Sequence, residues 1–125
     1  MAPSPGLRAA RAQIDREYAQ GLTVAQLAKT AGGSTFHFIR AFRQVYGLTP
    51  GQCVRARRLE RARELLTTTA LPVTEVCHQV GYLGVATFSR VFRAYTGESP
   101  SQFRKRTRRP TYIPSCFLRM YRVDD

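Results

Sequence analysis

Phe38-Ile39-Arg40-Ala41-Phe42-Arg43-Gln44-Val45-Tyr46-Gly47-Leu48-Thr49-Pro50-Gly51-Gln52 returns fifty positions later as Phe88-Ser89-Arg90-Val91-Phe92-Arg93-Ala94-Tyr95-Thr96-Gly97-Glu98-Ser99-Pro100-Ser101-Gln102. Phe38, Arg40, Phe42, Arg43, Gly47, Pro50 and Gln52 recur in step, so the chain holds two copies of one unit. Upstream, Leu22, Val24 and Gly32 pair with Leu71, Val73 and Gly81 at an offset of forty-nine. The second copy therefore has one extra residue just after its glycine, and such insertions fall in turns.

Each copy reads as a short helix, a glycine turn and a longer helix. In the first, Thr23 can cap a helix over Val24 to about Ala31, with Val24, Leu27, Ala28 and Ala31 on one face and Gly32-Gly33 as its stop. Ser34 then caps a helix ending near Tyr46-Gly47. In the second, Pro72 stands at a helix start, Val73, Val76, Cys77 and Val80 repeat the stripe, and Gly81 ends it. A further helix follows from about Gly84 to Tyr95. This is the plan of a helix-turn-helix, present twice.

Working outward, Pro50 to about Thr67 forms one long linker helix whose Val54, Leu59, Ala62, Leu65 and Leu66 can bury while Arg55, Arg57, Arg61 and Arg63 stay in water. An opening helix over roughly Leu7 to Gln20, with Leu7, Ala10, Ile14 and Tyr18 as its stripe, and a closing helix from Pro100 to Arg106 complete an all-α fold of about seven helices. The expected division is an arm and first helix (1–21), a first helix-turn-helix (22–49), the linker helix (50–70), a second helix-turn-helix with its closing helix (71–108), and an apolar tail (109–125).

Helical geometry assigns the faces of the two longer helices. Phe38, Ala41, Phe42 and Val45 share the inward stripe of the first, which turns Phe36, Ile39, Arg40 and Arg43 outward. In the second, Phe88, Val91, Phe92 and Tyr95 pack inward and Ala86, Ser89, Arg90 and Arg93 turn outward. Arg40 and Arg90 are placed to reach guanine N7 and O6 in a major groove. Arg43 and Arg93 suit phosphate, as does Ser34 at its helix start, giving affinity without sequence preference. Phe36 and Ile39 suit thymine methyl groups, although Phe36 could equally pack against a neighbouring loop. Two such helices on a stiff spacer could enter successive major grooves, about 34 Å apart, within one chain. Because the copies are direct repeats with unlike faces, the site should be asymmetric.

Charge agrees with a polyanionic partner. Twenty Lys and Arg stand against eight Asp and Glu, a formal net charge of +12, and only Lys29 and Lys105 are lysines. Arginine's planar fork fits phosphate and guanine edges, so double-stranded DNA leads a membrane as partner. A basic protein that coats nucleic acid without sequence preference shares the charge but does not need a duplicated unit with unlike faces. A chain of 125 residues suits one compact domain and is short for a sensor domain beside a complete DNA-binding domain. No run approaches the roughly 18 to 20 apolar residues that span a bilayer, and the start lacks the apolar core of a signal peptide, which points to the cytoplasm. Cys53, Cys77 and Cys116 are far apart and odd in number, with no clustered histidines. Neither a disulfide framework, a zinc site nor another cofactor is expected, and no histidine or acid is arranged to make a cysteine nucleophilic, so no catalytic residue is assigned. His37 and His78 read as surface or helix-end residues.

Val73-Thr74-Glu75-Val76-Cys77-His78-Gln79-Val80-Gly81-Tyr82, then Phe88-Ser89-Arg90-Val91-Phe92-Arg93 and Gly97-Glu98-Ser99-Pro100-Ser101-Gln102-Phe103-Arg104, resemble the DNA-binding domain of the AraC/XylS family of bacterial transcription regulators. Arg57-Arg58-Leu59-Glu60-Arg61-Ala62-Arg63-Glu64-Leu65-Leu66 is similar to that family's connecting helix, and the resemblance covers roughly Leu22 to Arg106. It implies a monomer on DNA that contacts RNA polymerase, usually as an activator. Base contacts are implied from positions matching Phe36, Ile39, Arg40, Val85, Ala86, Ser89 and Arg90. It further implies the minority form built from the DNA-binding domain alone. One departure stands out: the second recognition helix usually begins with serine and a polar residue, and here Gly84 and Val85 occupy those places. The tail, Tyr112-Ile113-Pro114 and Cys116 to Val123, is expected to dock on the domain or to pair with another chain.

Overall fold

The computed structural model describes residues 2–107, so the apolar tail, Cys116 included, lies outside the described residues. Seven helices and no strand occur among them: α1 (Pro5–Glu17), α2 (Val24–Ala31), α3 (Thr35–Tyr46), α4 (Pro50–Thr68), α5 (Val73–Gln79), α6 (Val85–Thr96) and α7 (Pro100–Thr107). The all-α architecture read from the repeat is the one observed. Helix α1 begins earlier than its apolar stripe suggests, because the Ser4 side chain accepts from the Leu7 amide at 3.2 Å and Pro5 opens the first turn. It also ends earlier, so Tyr18 is a half-buried cap residue and not a helical one.

The recurring Gly-x-x-Pro-x-Gln pattern has a local cause. Gly47 and Gly97 end α3 and α6 at φ 84° and 87°, the left-handed region that favours glycine. The next helix then opens on a capping box with proline in its first turn. In α4 the Thr49 hydroxyl accepts from the Gln52 amide at 3.2 Å, while the Gln52 side chain accepts from the Thr49 amide at 2.9 Å. Ser99 and Gln102 repeat the exchange at α7, at 3.1 and 3.0 Å.

Two separate cores result, and α4 serves both. Leu7, Ala10 and Ile14 of α1, Leu27 and Ala28 of α2, and Phe38 and Phe42 of α3 close on Cys53 and Val54 at the start of α4. Leu59, Ala62, Leu65 and Leu66 further along α4 close on Val76, Cys77, Val80, Phe88, Phe92 and Phe103. The second half of α4 thus does for the second unit what α1 does for the first. The sequence carries a trace of this: Leu7, Ala10, Arg11 and Ile14 align with Leu59, Ala62, Arg63 and Leu66 at an offset of fifty-two. Each repeat is therefore a four-helix unit, and one long helix closes the first and opens the second.

Candidate nucleic-acid interface

The turns of the two units differ in length by two residues, the inserted one and Val80, which matches the helical Ala31 but falls outside α5. Gly32, Gly33 and Ser34 connect α2 to α3, whereas residues 80–84 connect α5 to α6. In the first turn the Gly32 and Gly33 amides both donate to the Ala28 carbonyl, at 3.0 and 3.3 Å. In the second, the Tyr82 amide donates to the Cys77 carbonyl at 3.0 Å, and the Cys77 thiol returns a weak bond to the Tyr82 carbonyl at 3.6 Å. His78 Nε2 lies 3.2 Å from the Leu83 carbonyl and ties the outer edge of that turn to α5. Leu83 itself is 97% exposed. Its position beside the insertion was the sequence signal for it, since a residue added to a turn has no helix face to bury against.

Helix starts also differ. Thr23 and Gln26 form a capping box on α2, and the Ser34 hydroxyl accepts from the His37 amide at 3.2 Å on α3. In the second unit neither Pro72 before α5 nor Gly84 before α6 supplies a side-chain cap. Both recognition helices are nonetheless anchored alike through two aromatic residues. Phe38 and Phe42 sit with ring centroids 5.7 Å apart, as do Phe88 and Phe92, and Phe103 adds an edge contact to Phe92 at 5.4 Å.

That anchoring turns the opposite faces outward. Phe36, Arg40, Arg43 and Ser34 are exposed on the first unit, and Ala86, Arg90 and Arg93 on the second. None of these four arginines pairs with a carboxylate among the described residues, whereas Arg11, Arg57, Arg61, Arg63 and Arg106 all do. Phe36 is 64% exposed. It lies under its own helix neighbour, with the Arg40 guanidinium 5.6 Å from the ring centre. Two unpaired guanidinium forks per helix form a surface that can accept phosphate oxygens or guanine edges.

Five residues depart from their expected exposure. Ile39 is half-buried and packs against the first core, and Ser89 at the same repeat position is half-buried as well. Each follows an anchoring phenylalanine by one step of about 100°, which leaves it on the flank and not on the outer face. Val85 is half-buried against the second core. Tyr95, expected inward, is 48% exposed, because its polar tip stays in water at the last turn of α6. Arg57 is only half-exposed, since its guanidinium lies over the Tyr18 ring and bonds Asp15.

The cysteines do not contribute chemistry to this surface. Cys53 and Cys77 are buried and unpaired, and burial pushes both thiols above the usual range, with Arg11 and Arg57 opposing the rise at Cys53. Among the described residues no three of His, Cys, Asp and Glu come together as a metal site, and no helix is long and apolar enough to cross a membrane.

Two anchored helix-turn-helix units presenting unpaired arginines define a DNA-binding protein. Comparison with known proteins gives the family: the model for a helix-turn-helix domain matches residues 7–106. The regulatory protein SoxS of Escherichia coli K12 is 39% identical over 95 residues, covering 76% of this chain and 89% of SoxS. The C-terminal domain of AraT, a response regulator from Geobacillus stearothermophilus, superposes with a TM-score of 0.82 at 32% identity, covering 88% of this chain and 92% of that one. The DNA-binding domain of AdpA, a global transcriptional factor solved in complex with a target DNA, gives 0.74 at 28% identity, covering 83% and 93%. The chain belongs to the AraC/XylS family and is a DNA-binding transcription regulator of that type.

Proposed function

We propose that the chain reads a specific, asymmetric duplex site through two successive major grooves, as a monomer, and acts in the cytoplasm as an activator that contacts RNA polymerase. One observation carries the reading: each recognition helix exposes an arginine pair at the same repeat position, free of carboxylate partners among the described residues. Arg40 and Arg90 read guanine, with Phe36 beneath Arg40 limiting its rotamers. Ser34, Arg43 and Arg93 hold phosphate. Ile39 and Ser89 touch the groove from the flanks of their helices. Val85 and Ala86 offer no hydrogen bond, so their half-site favours thymine methyl groups next to the base that Arg90 reads.

Arg40→Ala and Arg43→Ala separate this from a non-specific coat. Arg40→Ala should relax preference at one base pair, with a loss of about 1–3 kcal/mol on the best site. Arg43→Ala should weaken all duplexes alike and reduce the salt slope by about 1. Equal, sequence-independent losses from both variants would favour the coating protein.

A further inference from the structure

Among the described residues, the Arg58 side chain touches both units at once. Arg58 leaves α4 between Val54, which belongs to the first core, and Leu59, which belongs to the second. Its Nε–H donates to the Tyr18 carbonyl at 2.6 Å, in the α1–α2 connection of the first unit. Its guanidinium carbon lies 5.3 Å from the centre of the Tyr82 ring, in the α5–α6 turn of the second. Next to Tyr82, Gly81 brings backbone against backbone: a Cβ there would meet the Ala19 Cα at 3.0 Å and Arg58 Nε at 3.1 Å, at a φ of 106°. The turn of the second unit thus rests on a loop of the first, with the planar group of Arg58 between them.

An open cleft of roughly 730 Å³ runs alongside, walled by Leu22, His78, Leu83 and Thr87 as well as the clasp residues. The two apolar cores share no buried residue, so α4 alone would leave rotation of one unit about the helix axis opposed only by bending and twisting of that helix. Arg57 steadies the same loop from the neighbouring position, with Nε 3.1 Å from Asp15 Oδ1 and its guanidinium 5.3 Å from the Tyr18 ring centre. Arginine suits position 58 because one flat group both stacks and donates; lysine does not reproduce both.

We infer that Arg58 is a positioning residue that sets the angle between the two recognition helices, and with it the half-site spacing the protein accepts, without touching DNA. This rests on the two-groove reading above. A rigid pair of heads gains affinity from linkage only where both half-sites lie at the fixed offset, whereas a loosened pair accepts more offsets and gains less at the best one.

The test uses a duplex selected from a random library by the unaltered chain, then remade with one base pair inserted or removed between the half-sites. One pair turns the second half-site by about 35° and moves it by about 3.4 Å. The unaltered chain should lose about tenfold or more in affinity per change, and Arg58→Met less than about threefold, while the two bind an isolated half-site alike. Arg58→Lys should broaden the profile to a smaller degree, and it carries the comparison should the methionine variant fail to fold. A purely structural role would lower binding at every spacing and leave the profile's shape intact, which overturns the inference. So does an Arg58→Met profile identical to that of the unaltered chain. An unaltered chain that is indifferent to spacing overturns the two-groove reading and this inference with it.

Discussion

Gly84→Ser repairs the missing cap of the second recognition helix, and its effect can be worked out from the backbone. Gly84 has φ −126° and ψ 139°, extended geometry that any residue adopts and that an N-cap requires. A Cβ placed there meets nothing within 4 Å. At the corresponding start of α3, Ser34 has φ −71° and ψ 154° and accepts from the amide three residues on. A serine at 84 has the Thr87 amide in the same relation. Replacing glycine by serine at an N-cap is worth only about a few tenths of a kcal/mol, because glycine is itself a fair cap, whereas alanine falls about 1 kcal/mol below serine. The expected order of stability is Ser, then Gly, then Ala, with about 1 kcal/mol between the ends. In a domain of this size that is about 4–8 °C in Tm. Urea unfolding followed by circular dichroism measures it, provided the three curves share one slope. Alanine at least as stable as serine would refute the reasoning, since it would mean that the first amides of α6 need no acceptor from position 84.

Two further outcomes follow from the cores. Phe92→Ala removes a fully buried ring that touches Phe88 and Phe103, and should cost about 3–5 kcal/mol in the same urea assay; a loss below about 1 kcal/mol would mean that α6 is not seated on this core. Cys53 and Cys77 stay protonated in the folded chain at a pH where the unfolded thiol, near 8.5, has begun to ionise. The folded state then binds more protons than the unfolded one, so stability is intact below about pH 8.5 and falls as pH rises toward the raised folded values. Urea midpoints across pH 7 to 10 should show that decline, and Cys77→Ala should make it shallower; a parallel decline in the variant would count against the buried thiol as its source.

The fold was legible because its signals are local. Glycine stops and phenylalanine at i and i+4 act within one or two turns, and the repeat states each of them twice; the Thr49 cap recurs at Ser99, whereas those at Thr23 and Ser34 have no counterpart at Pro72 and Gly84. The equivalence of α1 with the second half of α4 was not, since Leu7, Ala10, Arg11 and Ile14 match Leu59, Ala62, Arg63 and Leu66 at an offset that neither of the other two registers shares. Of the candidate site, the outward arginines could be placed by periodicity alone. Ile39 and Ser89 could not, because a residue about 100° from the anchor lies where the depth of packing decides exposure. Arg58 was out of reach for a different reason: its partner Tyr18 is forty residues away, and only tertiary packing brings the two turns together.

Selection of binding sites from a random duplex library at near-physiological salt, followed by titration of the winner against shuffled DNA, tests the two-headed reading most directly. The expected result is an asymmetric consensus of two half-sites about one helical turn apart, bound about 10³-fold or more tighter than shuffled sequence. Selected and shuffled duplexes bound alike, with no consensus, would contradict it.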